Sequence, residues 1–290
     1  MKNFDYAAPE SLVEATTLLA SNQGTTRVLA GGTDLIVQLR EHLREAELVV
    51  DVKRIPELTE CRDSETNGLR LGAAVPCCQI YENERLAKKY PALADAARII
   101  GGWQIQSRAS IGGNLCNSSP AGDSIAPLIA LGVRCIIAGP NSNREVAAED
   151  FCTGPGQNVL RKGELLSTLV FPAPVASSGS AYERFIPRNE MDIAVAGAAS
   201  WVELDKTGAT ILKARIALSA VAATPKFAAE ASDWLTGKPV SQETFARAGE
   251  LARKVASPIT DMRGTTEYRV HLVGVLTQRT LATATERARQ

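Results

Sequence analysis

Histidine is almost absent: only His42 and His271 occur in 290 residues. A zinc or iron–sulfur site needs several His or Cys side chains at ligand spacing. The six cysteines (Cys61, Cys77, Cys78, Cys116, Cys135 and Cys152) form no C-x-x-C pair, and the neighbours Cys77 and Cys78 are poorly placed to chelate one ion. No metal site is expected in this chain, and most of the thiols are read as small buried hydrophobes. Net charge is missing too, since Lys plus Arg matches Asp plus Glu at 32 each. Without a basic stripe interleaved with aromatics, nucleic acid is not an expected partner. Long apolar runs are lacking as well. The most apolar stretch, Ile125 to Ala138, is broken by Pro127 and Arg134 and is shorter than the ~20 residues of a bilayer crossing. Direct membrane insertion is therefore not expected. Met1 to Asp5 carries no apolar signal core, so the expected location is cytoplasmic. Finally, G-x-G-x-x-G, G-x-x-x-x-G-K-[ST] and G-x-S-x-G are all absent, which removes the Rossmann, P-loop and nucleophile-elbow readings.

What is present is a mixed α+β pattern of two domains. Ser11 and Glu14 form a capping box ahead of a helix carrying Leu12, Ala15, Leu18 and Leu19 on one face, ending near Gly24. Short strands are predicted at 27–30, 48–52, 69–75, 133–138 and 165–171, and helices near 77–87 and 91–100. Residues 101–123 have little periodicity and read as a long functional loop. Pro172 to Gly179 reads as a linker. Beyond it, antiparallel strands at 181–186, 194–204 and 211–218 precede three helices near 226–236, 241–256 and 265–287. The expected division is 1–175, in two parts at about 1–55 and 56–175, followed by 176–290.

Two glycine segments carry the chemical signal. The first is Val28-Leu29-Ala30-Gly31-Gly32-Thr33-Asp34-Leu35, and the second is Ser110-Ile111-Gly112-Gly113-Asn114-Leu115-Cys116-Asn117. Each sets two glycines after a short apolar stretch and before a small polar residue. Glycine lets successive amides point into one concavity and lets the backbone approach a ligand closely. Four charge-assisted N–H bonds supply roughly 6–12 kcal/mol gross, comparable with the ~8 kcal/mol of a micromolar ligand. One glycine pair alone is usually only a turn, as Gly101-Gly102 is read to be. Two such nests facing one diphosphate point to a nucleotide or dinucleotide cofactor.

Together, Ala30-Gly31-Gly32-Thr33-Asp34 and Ser110-Ile111-Gly112-Gly113-Asn114 resemble the paired motifs of the FAD-binding medium subunits of molybdenum hydroxylases. Carbon monoxide dehydrogenase, bacterial xanthine dehydrogenase and N-heterocycle dehydrogenases belong to that family. Gln104-Ile105, Ser119-Pro120-Ala121-Gly122-Asp123 and the stretch Arg188 to Ala194 agree with it. The resemblance implies a flavin-binding domain of the p-cresol methylhydroxylase or vanillyl-alcohol oxidase type, then a smaller domain with helices on an antiparallel sheet. It implies FAD wrapped at its pyrophosphate by Val28 to Leu35 and Ser110 to Asn114. By the same resemblance Ile100 and Leu166 lie on the adenine side, and Asp123 contacts a cofactor hydroxyl. Arg184 takes a place often held by Lys beside the isoalloxazine, and Ile193 covers the flavin face. Met191 stands where NAD-using relatives can carry an acidic residue, which leaves the terminal acceptor open.

The family division of labour implies a large partner carrying the molybdenum cofactor and a small partner carrying two [2Fe-2S] clusters, in a dimer of heterotrimers. Electrons would pass through FAD here to NAD, oxygen, a quinone or a carrier. Two rivals stand beside this reading. A self-contained flavin oxidoreductase of the same fold would turn over a substrate as a lone chain. A non-redox nucleotide-binding module would purify colourless.

Overall fold

The computed structural model describes residues 2–188 and 190–290; Met1 and Asn189, the latter within the Arg188–Ala194 stretch, lie outside the described residues. The chain begins with β1 (Asp5–Ala7), α1 (Leu12–Ser21), β2 (Thr26–Leu29), α2 (Leu35–Arg40), β3 (Leu48–Asp51) and α3 (Pro56–Thr59). The three strands form a parallel sheet in the order β1-β3-β2. Helix α1 starts where the capping box places it: Ser11 Oγ accepts from the Glu14 amide at 3.2 Å, and Glu14 accepts from the Glu10 amide at 3.0 Å.

The middle of the chain supplies β4 (Cys61–Ser64), β5 (Gly68–Gly72), α4 (Cys77–Tyr81), α5 (Glu84–Lys89), α6 (Pro91–Ala97), α7 (Trp103–Gln106), α8 (Ile111–Asn117) and α9 (Ile125–Ala130). It continues through β6 (Arg134–Ala138), β7 (Asn143–Ala147), α10 (Ala148–Phe151), the two-stranded β8 (Cys152–Gly154) and β9 (Gln157–Asn158), and β10 (Leu165–Phe171). The last strand, apolar and buried almost throughout, lies at the centre of a five-stranded antiparallel sheet, β4-β5-β10-β6-β7. The run from Ile125 to Ala138 is a buried helix followed by the expected strand, with Gly132 (φ +66°) making the turn between them. One expectation changes here. The stretch read as a long functional loop contains α7 and α8, and the second glycine pair occupies the first turn of α8. Glycines mask helical periodicity, but Ser110 supplies the cap: its Oγ accepts from the Gly113 amide at 3.0 Å.

The last third forms a four-stranded antiparallel sheet from β11 (Ser178–Phe185), β12 (Ala196–Leu204), β13 (Ile211–Ser219) and β14 (Lys226–Phe227), with helices α11 (Ala229–Trp234), α12 (Gln242–Arg253) and α13 (Thr266–Ala288). Lys226 and Phe227, expected to open a helix, pair with β13 instead. Alternation divides β12 between two cores. Ala196, Ala198 and Val202 face the three helices, whereas Ala199 joins Tyr182 and Ala217 in the core of the middle region. Both faces of this sheet are therefore covered, one by its own helices and the other by α6 and α9. At Gly179 the backbone of α13 lies directly on β11; a Cβ there would sit 2.1 Å from the Ala284 carbonyl oxygen. The six thiols are free; Cys77 and Cys135 are buried, Cys61 is exposed, and the other three lie between. Burial pushes the Cys77 thiol up to about 12, so it packs as a neutral hydrophobe. Among the described residues, no helix is long and apolar enough to cross a membrane.

Candidate functional site

A cleft of about 1000 Å³ opens between the parallel sheet and the five-stranded sheet, and its far rim is made by Arg184 and the segment around Ile193. It is at the upper end of ordinary ligand-pocket sizes. The first glycine segment leaves β2 at the carboxyl edge of the parallel sheet and turns into α2. Gly32 has φ +78°, a left-handed conformation that a side chain would strain. Gly31 brings the two segments together: a Cβ on it would lie 1.9 Å from the Arg108 carbonyl oxygen, two residues before Ser110. Gly31→Ala should therefore separate the segments and destabilise the fold by about 1–3 kcal/mol or more. Urea unfolding of the cofactor-free variant checks this.

The second segment is fixed from behind. Pro76 bridges Ser110, and the Cys77 amide donates to the Ala109 oxygen at 2.8 Å. A Cβ on Gly112 would lie 2.4 Å from the Ala73 oxygen, so α8 rests on the backbone after β5. Gly113 differs. A Cβ there would meet only Ser110 Oγ, at 2.9 Å, with open space otherwise. Asn114 Oδ1 accepts from Ser124 Oγ at 2.7 Å and from the Ser124 amide at 3.2 Å, tying α8 to the start of α9.

Both segments carry unpaired amides. The N–H groups of Gly32, Thr33, Asp34, Ile111 and Gly112 have no protein acceptor among the described residues, and all of these residues but Ile111 line the cleft. Orphan donors at helix starts are the usual anchor of phosphate oxygens. Arg27, Arg44, Arg161 and Lys162 also line the cleft. Burial, then repulsion from Arg44, lowers the Arg27 pKa, which marks cations crowded together. Burial raises the Asp34 carboxyl, with Arg44 opposing the shift.

Elsewhere in the lining, Arg184 Nη1 donates to Asp123 Oδ2 at 2.6 Å, and Tyr182 Oη donates to Asp123 Oδ1 at 3.1 Å. Arg184 Nη2 also donates to the Ile99 oxygen at 2.9 Å, beside Ile100. The pair is buried, with side chains 6% and 9% exposed. Burial pushes the Asp123 carboxyl up to about 6, against the pull of Arg184 and Tyr182. Asp123 is thus an ion-pair partner; Ser124 holds the N-cap position of α9. Arg184, expected beside the isoalloxazine in a place often held by Lys, is ion-paired with Asp123. Met191 (φ +55°) and Ile193 are half exposed on the cleft rim, and β12 begins only after them.

A family model described as the FAD binding domain in molybdopterin dehydrogenase matches residues 2–174. The chain belongs to that family of FAD-binding subunits. A second model, the CO dehydrogenase flavoprotein C-terminal domain, matches residues 180–284. The carbon monoxide dehydrogenase medium chain of Afipia carboxidovorans is 34% identical over 99% of this chain and 98% of its own length. The putative xanthine dehydrogenase FAD-binding subunit of Escherichia coli K12 is 32% identical over 97% of each. The solved carbon monoxide dehydrogenase from Hydrogenophaga pseudoflava, at 31% identity, superposes with a TM-score of 0.93 over 99% of this chain and 98% of that one. This chain is accordingly an FAD-binding electron-transfer subunit of an oxidoreductase of the molybdenum hydroxylase class.

The flavoprotein's residues fit the cofactor: two rows of unpaired amides share one cleft, and Gly113 leaves open room that a side chain would fill. Of the side chains singled out in the sequence, Val28, Ala30, Thr33, Asp34, Leu35, Ile100, Ser110, Asn114, Asp123, Leu166, Arg184 and Ile193 line this cleft together with all four glycines. Leu29 and Ile111 do not. Leu29 packs beside Leu39 and Val49, and Ile111 lies in the main core, so each serves the cleft through its backbone. The basic group Arg27, Arg44, Arg161 and Lys162, along with Gln38, was not singled out in the sequence. Two charges near the start of the chain and two more over a hundred residues later leave no local pattern to find.

Proposed function

We propose that this cleft is the FAD site, with the diphosphate held by the amides of Gly32 to Asp34 and of Ile111 and Gly112. The observation that carries the reading is that both glycine segments, each with orphan amides, line one cavity of about 1000 Å³. Arg27, Arg44, Arg161 and Lys162 supply positive charge to that cavity. Ile100 and Leu166 offer apolar surface for the adenine, and Ile193 covers the flavin face. Asp123, held by Tyr182 and Arg184, keeps its carboxylate at the cleft and ties the C-terminal sheet to the site.

When bound, FAD supplies the redox centre that takes electrons from iron–sulfur clusters and delivers them to a terminal acceptor. The chain's own part is to bind, orient and shield that cofactor. The partners are a large molybdenum-cofactor subunit, which hydroxylates the organic substrate, and a small subunit with two [2Fe-2S] clusters. The assembly is a dimer of heterotrimers in the cytoplasm. Within this chain the fold is of the p-cresol methylhydroxylase type, divided at about residue 175.

Purification with the products of neighbouring genes, followed by flavin, iron and molybdenum analysis, tests this. The expected result is a yellow chain alone and a complex in which the organic substrate bleaches the flavin only when both partners are present. A lone chain that turns over an organic substrate, or a colourless one, contradicts it.

A further inference from the structure

Lys53 lies outside the cleft, yet it holds the first glycine segment. Its Nζ donates to the Ala30 oxygen at 2.9 Å and to Asp51 Oδ1 at 2.7 Å. The second carboxylate oxygen of Asp51 accepts from Tyr6 Oη, also at 2.7 Å. Tyr6 is on β1, Asp51 ends β3, and Ala30 follows β2. One polar chain therefore crosses all three strands at the carboxyl edge of the parallel sheet, where ligands of open α/β sheets usually bind. Burial alone would raise the Asp51 carboxyl, but hydrogen bonds from Lys53 and Tyr6 outweigh it and hold the pKa below the ordinary value. The Asp51 carboxyl is thus ionised at neutral pH.

The Ala30–Gly31 peptide is planar and trans, so its C=O and N–H point in opposite directions. A cation that holds the Ala30 oxygen therefore turns the Gly31 N–H away from Lys53. That N–H has no protein acceptor among the described residues, and Gly31 lines the cleft. We propose that Lys53, steadied by Asp51 and Tyr6, is a positioning residue that aims the Gly31 amide at the cofactor's diphosphate. The inference rests on the cleft being the FAD site. It adds a fourth amide to Gly32, Thr33 and Asp34 and names the side chain that fixes the row's orientation. Lys53 also places a positive charge behind the peptide, which polarises it and strengthens its N–H as a donor to an anion.

The test uses the full-length chain stripped of flavin and titrated with FAD by fluorescence quenching. Lys53→Met should weaken FAD binding by about tenfold, the loss of one well-aimed charge-assisted bond. Lys53→Arg, which can still reach a carbonyl, should recover most of it. The phosphorus NMR resonances of bound FAD should move in Lys53→Met and return in Lys53→Arg, a response that general loosening of the sheet would not give. Should Lys53→Met fail to fold, Tyr6→Phe removes one hydroxyl from a half-exposed side chain and should shift the same resonances, with a loss of affinity of about two- to threefold. Unchanged affinity and resonances in Lys53→Met, with FAD still lost in Gly113→Val, overturn the role of Lys53 and leave the FAD site standing. Loss of affinity without rescue by Arg also overturns it. Full affinity in both Lys53→Met and Gly113→Val removes the FAD-site reading, and this inference with it.

Discussion

Gly113→Val should leave the chain folded and take its FAD away. Gly113 is in the first turn of α8 and lines the cleft. A Cβ there meets only the capping oxygen of Ser110 among the described residues, so the isopropyl group would enter open space in the cleft proposed to hold the cofactor. The fold loses at most the cap, about 0.5–2 kcal/mol, and Val is no worse a helix residue than Gly. The cofactor loses its approach to the Ile111 and Gly112 amides. At about 1.5–3 kcal/mol for each charge-assisted bond, affinity should drop at least a hundredfold. Flavin absorbance per chain after purification measures the first effect, and thermal unfolding of both proteins without flavin measures the second. The contrast with Gly31→Ala matters. That Cβ strikes the Arg108 backbone, so the same loss of flavin would come with a weakened fold. A Gly113→Val protein with full flavin content would show that the cleft holds its ligand some other way.

Arg184→Ala should cost the fold about 3–5 kcal/mol at pH 8, because it leaves the buried Asp123 carboxylate with Tyr182 alone. The cost should depend on pH in a definite sense. Folding already raises the Asp123 carboxyl from 3.8 to about 6, so the folded state holds this proton more tightly than the unfolded chain. Its contribution to stability is therefore lost as pH rises through that window and is flat above it. Removing Arg184 takes away a lowering influence, so the folded pKa rises further and the loss extends to higher pH. The variant should be most damaged at pH 8 and approach the parent near pH 5, where Asp123 is neutral. Urea unfolding at the two values checks the trend. Adding Asp123→Asn to Arg184→Ala should restore part of the stability at pH 8. A pH-independent cost would mean that Arg184 acts through the Ile99 carbonyl and not through the carboxylate.

Long, strongly patterned elements were legible in the sequence. The strand Leu165–Phe171 and the helices opened by Ser11, Ser241 and Thr265 lie within a residue or two of their predicted starts. Short or polar elements were not. β4 reads Cys-Arg-Asp-Ser and β7 reads Asn-Arg-Glu-Val-Ala, edge strands whose place is set by pairing with a neighbour. α8 was hidden because its first turn is a glycine pair, although Ser110 was there to cap it. The two glycine segments could be named as partners, but the reason they meet could not: Gly31 touches Arg108 across 77 positions of sequence. The same holds for Asp123 and Arg184, 61 residues apart, expected as separate cofactor contacts and paired instead into one unit spanning the cleft and the C-terminal sheet. Lys53 gave no signal either, because its role depends on which way one peptide faces.

Hydrogen–deuterium exchange with and without FAD addresses the diphosphate cradle directly. Among the described residues the amides of 31–34 and 111–112 have no protein acceptor, so they should exchange fast in the flavin-free chain and slow markedly when FAD is added, with both segments protected together. Protection of other segments, with these two left unchanged by saturating FAD, would contradict the account.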